Sequence, residues 1–421
     1  MASIIVRPLS STEEYTLYSR LADTAFSDPP SEESLRRWQE YVRQSPDFRR
    51  EQMRGVFRDG QLMGGCVVHE RLLQMGATRI STGCISGVVT SPDYRKQGVA
   101  AALMQDTIEF ARSNNHALLL LDGIAKFYYR YGYVDMFDVT EIEIDRAAIL
   151  AQAPPAYTIR PATVEDAAAL LDLYRRHYSA STGSFERSLE LQTHYLRFMR
   201  NPFVVALSPQ GQIVGYLSHG KNAYATKGRE LAADDEQAGL ALLQYHAHLL
   251  DGDNAPTVLS YRLPSDAPLT QWMIDSLEVP DALQLQSPAN EWSVREVIAH
   301  HRFAGWMARL VNCPALLEAI LPELRIRWQR SLARWSGDII LNIDGVNCML
   351  RLDGSVVQLV EATNGATYRV DLTSQALVQL IFGYRPLARL ANVAHLPAGA
   401  RSALSILYPT GHTWIPTSDW F

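Results

Sequence analysis

The sequence predicts an α/β (α+β) protein in which mixed β-sheets are flanked by helices. The clearest observation is a β-branched, apolar run at residues 85–90, which the turn residues Ser91-Pro92-Asp93 close. An Ala/Leu-rich helix pattern then runs to about residue 112. A second observation is that strand and helix patterns alternate along the rest of the chain, and the third is that the opening pattern returns near residue 157.

Length, composition and charge restrict the classes of function. The 421 residues are enough for about three domains, and 47% hydrophobic and 20% charged residues are typical of a soluble globular protein. A net charge of −6 without a long basic run argues against nucleic acid as a partner. Neither a signal peptide nor an apolar run of ~20 residues is found, so no membrane span and a cytoplasmic location are expected.

Cysteine and histidine patterns do not indicate a metal site. No C-x-x-C pair joins the four scattered cysteines, which are expected to be small buried hydrophobes in a reducing compartment. The His246-x-His248 and His300-His301 pairs lack further ligands at zinc-like spacing, and surface or packed histidines are the better interpretation. We therefore expect no metal.

The first 150 residues contain one complete set of strand and helix signals. A strand at residues 4–8 precedes a helix with acids in its first turn, which is expected to end near Phe26. Asp28-Pro29-Pro30 breaks this helix, and Ser31 caps a second one that carries Trp38. Asp59-Gly60 predicts a hairpin, residues 117–121 a buried strand, and residues 144–150 the end of the domain.

An internal duplication follows a Pro-containing linker at residues 151–155. Thr158-Ile159-Arg160-Pro161 repeats Ile5-Val6-Arg7-Pro8, and each is followed by a capped helix. At the position that corresponds to residues 91–98 of the first copy, between a strand and a helix, this copy has Asp234, Asp235 and Glu236, which complement a helix dipole and would repel an anion such as a pyrophosphate. The second copy is predicted to be structural.

The composition changes again near residue 291. Residues 292–310 and 314–324 are predicted to be helical, and strands alternate from residue 339 to residue 371 with hairpins at Asp344-Gly345 and Asp353-Gly354. A helix at residues 373–382 and a short final helix after Pro386 complete the pattern.

The segment after residue 90 has the features of an anion site. A strand, a short basic loop with Gly98 and a helix start together present backbone amides that lack intrahelical partners. Gly98 allows close approach of a phosphate, and Arg95 and Lys96 add positive charge. Taken alone, an R-x-x-G-x-A string is more often ordinary helix packing.

A second motif makes the anion-site interpretation the stronger one. Phe127-Tyr128 opens an F-Y-x-x-x-G-Y string about thirty residues after Gly98, and the two motifs together resemble motifs A and B of the GNAT superfamily of acetyl-CoA-dependent N-acyltransferases. The resemblance implies acetyl-CoA as the acyl-donor cosubstrate. It also implies cofactor-binding positions at Val88, Val89, Thr90, Arg95, Lys96, Gln97, Gly98, Val99, Ala100, Ala101, Gly123 and Ile124.

The same resemblance implies a catalytic role for Tyr128. Coenzyme A leaves as a thiolate and needs a proton, which a phenol can donate. The alternative is that Tyr128 only packs, as its tyrosine neighbours are expected to do. Backbone N–H groups at residues 88–90 would pair with the pantetheine arm and polarise the thioester carbonyl.

The whole architecture resembles the Eis (enhanced intracellular survival) family. The predicted domains are a catalytic GNAT domain at 1–152, a degenerate GNAT-like domain at 153–290 and a sterol carrier protein-like domain at 291–421. The resemblance implies a homo-oligomer, specifically a hexamer, that acetylates primary amines, including those of aminoglycosides. It also implies an acceptor pocket formed by Phe26, Asp28 and Trp38, although Asp28 before Pro-Pro is equally well explained as a turn residue.

The chain is expected to end in the catalytic site. Trp420-Phe421 is an unusually apolar terminus, and in the Eis-like family the terminal carboxylate deprotonates the acceptor amine. Phe421 matches that base. Because Trp420 carries no charge, Asp419 or Asp28 would have to attract a cationic acceptor.

These observations predict an acetyl-CoA-dependent N-acetyltransferase that acts on a primary amine of aminoglycoside, polyamine or lysine type by direct transfer. The alternative is a non-catalytic acyl-CoA or lipid-binding sensor, which would bind the cofactor without turnover.

Overall fold

The structure, a computed structural model, describes residues 4–27, 29–124, 126–198, 201–277, 298–302, 305–354, 356–361, 368–411 and 413–421. The chain forms two compact units. The first comprises Met1–Phe137, Phe303–Gly411 and Phe421, and the second comprises Asp138–Arg302 and His412–Trp420.

The N-terminal part of the first unit has the predicted order of elements. Its strands and helices are β1 (Ile5–Pro8), α1 (Thr12–Phe26), α2 (Glu32–Gln44), β2 (Met53–Arg58), β3 (Gln61–Met75), β4 (Thr78–Thr90), α3 (Val99–Ser113), β5 (Leu118–Asp122) and β6 (Val134–Asp135). Ser11 caps α1 by accepting from the Glu14 amide, and Ser31 and Ser34 form a capping box on α2. Both predicted helices and the hairpin at Asp59-Gly60 are confirmed.

The second unit repeats this order of elements. It contains β7 (Val139–Asp145), α4 (Arg146–Ala151), β8 (Thr158–Pro161), α5 (Ala167–Tyr178), α6 (Leu189–Phe198), β9 (Phe203–Leu207), β10 (Ile213–His219), β11 (Lys227–Ala233), α7 (Glu236–His248), β12 (Val258–Tyr261), α8 (Pro268–Ser276) and β13 (Ile298–His301). At the start of α7, the Asp235 carboxylate accepts from the Ala238 amide at 2.7 Å. The protein's own carboxylate therefore occupies the position at which an anion could bind.

The C-terminal part of the chain adds a third, smaller sheet to the first unit. Its elements are β14 (Trp306–Leu310), α9 (Cys313–Arg330), β15 (Gly337–Ile343), β16 (Val346–Asp353), β17 (Val356–Val360), β18 (Tyr368–Leu372), α10 (Ser374–Ile381), α11 (Leu387–Leu390) and α12 (Ala398–Leu407). The four strands β15–β18 form the smaller sheet in the order β17-β16-β15-β18. The sequence did not predict α12.

The predicted helix at residues 292–310 is wrong wherever the chain is described. Residues 298–301 and 306–310 are the strands β13 and β14, and residues 292–297 lie outside the described residues. Residues such as Met307, Ala308 and Leu310 favour a helix locally, but β14 is hydrogen-bonded to β5 on one side and β6 on the other. Sheet pairing and burial of Trp306 and Met307 outweigh that preference.

The order of the strands in the two large sheets departs from their order in the chain. The first sheet has the order β1-β2-β3-β4-β5-β14-β6, and the second has the order β13-β7-β12-β11-β10-β9-β8. Thus β7, which follows β6 directly in the chain, pairs in the second sheet, while β14 supplies the strand between β5 and β6. The unit boundary falls at residue 137, whereas the three-domain division with its boundary at residue 152 stays a prediction. The predicted class, mixed sheets with flanking helices, is confirmed.

Each face of the first sheet is covered by a separate apolar cluster. Alternate residues of a strand point to opposite faces, so Cys66 and Val68 of β3 join the cluster on the α3 side while Val67 joins the other. The opposite cluster includes Tyr18 of α1 and Val42 of α2. We call these surfaces the α3 face and the α1/α2 face.

Candidate active site

The site begins where β4 and β5 stop pairing. The two strands are parallel and pair from Thr82 and Leu118 to Ile85 and Leu121. Beyond Ile85, β4 continues to Thr90 with β3 as its partner among the described residues. Backbone polar groups of residues 86–90 on the β5 side therefore have no strand partner in the described part of the chain, and we call this place, where β4 and β5 cease to pair, the opening between the strands. An extended thioester arm could pair with this edge.

A bulge in β4 marks the same point. Between Ser86 and Val89 the register shifts, so that Gly87 and Val88 lie opposite the single residue Cys66. The hydroxyl of fully buried Tyr18 donates to the Gly87 carbonyl at 2.9 Å, and burial raises the pKa of this phenol well above its usual value. Tyr18 thus remains a protonated donor that holds the bulge in place.

The loop after β4, which the sequence predicts to bind an anion, leads into α3. Lys96 has a φ of 61° and Gly98 a φ of 85°, and Gly98 is the N-cap of α3 without a side-chain cap. The first i to i−4 bond of the helix runs from the Ala102 amide to the Gly98 carbonyl, so the amides of residues 99–101 precede it. Among the described residues, a Cβ at Gly98 would meet only the Ile4 Cδ1 atom, at 4.0 Å. The loop is therefore open on this side of Gly98.

Gln97 differs from its neighbours in the loop because its side chain is already engaged. It donates to the Asp93 carbonyl at 2.9 Å and accepts from Arg58 at 2.7 Å. Arg95 and Lys96 are exposed, whereas Val99 is buried under the loop. The side chain of Gln97 therefore stabilises the conformation of the loop, and the charged groups of Arg95 and Lys96 lie at the surface.

Tyr128 lies at the end of β5 on the α3 face. Its ring is 7% exposed and contacts Phe127 and Tyr133 edge to face, with centroids 4.9 and 5.9 Å away. Gly123 permits this approach, because a Cβ there would lie 2.4 Å from the Tyr128 Cε2 atom. Burial, more than any neighbouring charge, raises the pKa of Tyr128 to about 12. Ile124, the other predicted cofactor contact after β5, is 75% exposed.

Phe421 lies on the opposite side of the same strand ends. Its ring centroid is 5.5 Å from that of Trp306 and 6.3 Å from that of His69, and the Arg71 guanidinium carbon is 5.9 Å from it. Trp306 pairs with Asp122, the last residue of β5, and His69 Nε2 is 3.0 Å from the hydroxyl of Ser86, the first residue of β4 beyond the paired segment. The last residue of the sequence therefore lies where the strands diverge.

Sheet alternation places Phe421 and Tyr128 on opposite faces. Trp306 and His69 belong to the α1/α2 face, since their neighbours Met307 and Val68 belong to the α3 cluster that contains Tyr128. Burial lowers the pKa of His69 to about 4, so its imidazole is neutral at physiological pH. The opening between the strands is thus flanked by the Tyr128 phenol on one face and by Phe421 on the other.

The predicted acceptor residues have different environments. Trp38 packs edge to face on Tyr18, with ring centroids 5.7 Å apart, next to the β4 bulge. Phe26, at the end of α1, is 61% exposed, and Asp28 lies outside the described residues. The buried carboxylate of Asp23 instead accepts hydrogen bonds from Ser27 and Ser34, which tie the end of α1 to the start of α2.

Sequence reasoning missed Tyr18, His69 and Trp306. Each of them contacts a residue that is distant in the chain; Tyr18 and Gly87, for example, are 69 positions apart. No local sequence pattern indicates such a contact. Gly87 could have been found, because an isolated glycine within a β-branched run is a signal for a bulge.

Comparison with known proteins agrees with this geometry. Residues 6–135 match the family described as the acetyltransferase (GNAT) domain. The chain contains a GNAT acetyltransferase domain. It is an enzyme of the acyltransferase class, and the diverging strands, the loop before α3 and Tyr128 all lie inside the matched GNAT segment.

Three solved structures resemble the whole chain. A GCN5-related N-acetyltransferase from Kribbella flavida is 18% identical in sequence, with a TM-score of 0.72, and the match covers 100% of this chain and 99% of that chain. A GCN5-related N-acetyltransferase from Anabaena variabilis is 15% identical, with a TM-score of 0.72, and the match covers 100% of both chains. Eis1 from Mycobacterium abscessus is 18% identical, with a TM-score of 0.62, and the match again covers 100% of both chains. At these identities the likeness shows a shared fold. No curated protein matches the chain significantly in sequence.

The described residues contain neither a metal-ligand cluster nor a membrane-spanning helix. Within the described ranges, no group of three or more His, Cys, Asp or Glu side chains is arranged to hold a metal ion. None of the helices in the described part of the chain has the length and apolar character to cross a bilayer.

Proposed function

We propose that the protein transfers the acetyl group of acetyl-CoA directly to a primary amine, with Tyr128 as general acid and the Phe421 carboxylate as general base. The observation that supports it best is the position of Phe421, which packs on Trp306 and His69 at the point where β4 and β5 diverge. Tyr128 flanks the same strand ends from the other face of the sheet.

The GNAT domain has the features needed to hold the acyl donor. The amides before Ala102, with Arg95 and Lys96 nearby, are suited to the pyrophosphate. The free edge of β4, at Val88, Val89 and Thr90, is suited to the pantetheine amides and could polarise the thioester carbonyl. These backbone groups are held in place before any ligand arrives, because the bulge is hydrogen-bonded to Tyr18.

In the proposed reaction, Phe421 accepts one proton and Tyr128 donates one. The amine nitrogen attacks the carbonyl carbon, and its proton passes to the Phe421 carboxylate directly or through water. The C–S bond of the tetrahedral intermediate then breaks, and the departing thiolate takes the proton of Tyr128. Exchange with solvent restores the phenol and the carboxylate for the next cycle.

The finer features of the proposal concern the acceptor and the assembly. Trp38 would form an apolar wall of the acceptor site, with Phe26 and Asp28 as the further predicted contacts, for an amine of aminoglycoside, polyamine or lysine type. A homo-hexamer, a sterol carrier protein-like domain and membership of the Eis-like family are parts of the same proposal. The fold shared with Eis1 supports the last of these at the level of architecture.

A thiol-release assay tests the proposed function. Purified protein is incubated with acetyl-CoA and a panel of aminoglycosides, polyamines and lysine peptides, and free coenzyme A is measured. We expect release that depends on a primary amine and a product heavier by one acetyl group. Cofactor binding without turnover on the whole panel would contradict the proposal and favour the sensor.

Replacing Gly98 by valine is expected to weaken acetyl-CoA binding selectively. A β-branched residue is strained at a φ of 85°, and its side chain would project into the open side of the loop where the pyrophosphate is proposed to lie. Loss of one or two charge-assisted bonds predicts a rise in the acetyl-CoA KM of about 10–100-fold. The acceptor KM should change little. Steady-state kinetics with each substrate varied measures both constants.

Gly60→Val is the matched control for this experiment. Gly60 also has a left-handed φ, of 77°, with nothing within 4 Å of its Cβ position, but it lies in the β2–β3 turn. It should share the strain and leave the acetyl-CoA KM near that of the wild type. Equal effects of Gly98→Val on both KM values would mean that the loop does not hold the cofactor.

A further inference from the structure

The second sheet repeats the strand divergence of the first. In it, β11 and β12 are parallel and pair at Lys227–Ser260 and Gly228–Tyr261, after which β11 continues to Ala233 with β10 as its partner in the described chain. A register shift adds one residue, Arg229, to β11 at this point. The second unit thus has an opening like that of the GNAT domain, but with Asp235 at the start of α7 where a phosphate loop would be.

The C-terminal segment, residues 413–420, packs in this region of the second unit. The Trp414 amide donates to the Thr182 carbonyl at 2.9 Å, and its ring lies 4.5 Å from that of Tyr178. The indole N–H of Trp414 donates to the carbonyl of Arg262, the residue after β12, at 3.0 Å. The Arg262 guanidinium carbon is 5.2 Å from the ring of Trp420. The segment is therefore held at both of its ends.

The strongest contact of this segment is a buried ionic cluster. Asp419 is fully buried, and both of its oxygens accept from Arg187, at 3.0 Å from Nε and 2.9 Å from Nη2. Tyr195 donates a further bond to Asp419 at 2.8 Å. Glu230 of β11 accepts from the other edge of the same guanidinium, with both contacts at 2.9 Å.

The ionic cluster around Arg187 and Asp419 opposes release of the C-terminal segment. A buried carboxylate is stable only while it is paired and hydrogen-bonded, so withdrawal of Asp419 would break its bonds to both Arg187 and Tyr195. The Arg187 guanidinium carbon also lies over the ring of Tyr174, 3.7 Å from its centroid, which adds a cation–π contact to the cluster. Since Asp419 is committed to this cluster, it is not available to attract a cationic acceptor, contrary to the expectation from sequence.

We infer that the second sheet serves as a dock for the C-terminal segment, and that Arg187 is a positioning residue whose hold on Asp419 restricts the terminal residue, Phe421. The inference rests on the proposed function in one respect, the role of the Phe421 carboxylate as base. Phe421 follows Asp419 by two residues, so the anchored segment leaves it little freedom of position.

Release of the C-terminal segment, called the tail below, can be measured without any activity assay. Full-length protein is exposed to a carboxypeptidase, and intact mass is followed with time. The wild-type tail should be trimmed slowly, and Asp419→Asn should accelerate trimming at least tenfold, because the amide cannot replace both charge-assisted bonds to Arg187. Asp166→Asn is the matched control: this buried carboxylate accepts from Arg160 at 2.7 and 2.8 Å in the same unit, without a hydrogen bond to the tail.

Kinetics of the same three proteins and of two Arg187 variants test the positioning role. Asp419→Asn should lower kcat at least tenfold and leave the acetyl-CoA KM within about twofold, since the cofactor residues lie in the GNAT domain. Asp166→Asn should retain wild-type kcat, and Arg187→Lys should recover part of the loss seen in Arg187→Met. Unfolding temperatures establish that each variant is folded.

The outcomes separate the two proposals. Trimming of Asp419→Asn at the wild-type rate, in a folded protein, would overturn the dock. Faster trimming with unchanged kcat would support the dock and overturn the assignment of Phe421 as base, and with it the positioning role of Arg187. Faster trimming together with lower kcat and an unchanged KM supports both.

Discussion

Extension of the chain by a few residues beyond Phe421 is expected to reduce kcat by about 10²–10⁴-fold, the usual contribution of a general base. The extension converts the terminal carboxylate to an amide, which cannot accept the proton of the amine. The acetyl-CoA KM should stay near the wild-type value, because the loop at Gly98 and the edge of β4 are untouched. Intact mass first has to show that Phe421 ends the native chain. Steady-state kinetics on N-terminally tagged protein then measures kcat and the acetyl-CoA KM.

Phe421→Ala is the informative companion to this extension. It keeps a terminal carboxylate but removes the ring that packs on Trp306 and His69. We expect it to lose less kcat than the extended protein, since only the placement of the base is affected. Full kcat in a folded, extended protein would show that Phe421 is not the base.

Tyr128→Phe is expected to lower kcat by about 10²–10⁴-fold with acetyl-CoA affinity nearly unchanged. The ring and its edge-to-face contacts with Phe127 and Tyr133 remain, and only the proton donor is lost. Tyr133→Phe is the matched control, because it removes a phenol from the same buried cluster, 5.9 Å away between ring centroids. Wild-type kcat in Tyr128→Phe would place the acid elsewhere or assign the task to water.

The pH profile provides an independent check on Tyr128. Burial raises its pKa to about 12, and a phenol is protonated below its pKa, so the acid form should persist throughout the neutral and mildly alkaline range. We therefore expect no decline of kcat from this group below about pH 11. A decline centred near pH 10 that disappears in Tyr128→Phe would mean that the phenol is not desolvated in the working enzyme.

Some of the candidate site follows from local sequence. The strand before Ser91, the left-handed Gly98 and the start of α3 depend on the turn and helix preferences of adjacent residues, and the structure forms all three. The opening between β4 and β5 could not be predicted in this way. It depends on where parallel pairing stops, at Ile85 and Leu121, and on a bulge held by Tyr18 from another helix.

Short-range sequence signals predict the capped helices α1 and α2, the β2–β3 hairpin and the glycine loop, because each is stabilised within a few residues. The other features depend on contacts between residues that are far apart in the chain. Residues 306–310 form a strand because β5 and β6 pair with them, despite their local preference for a helix. The contact between Arg187 and Asp419 spans 232 positions, and that between Phe421 and His69 spans even more of the chain. Such contacts are stable only after the intervening chain has folded, since their free energy must offset the entropy of closing a long loop.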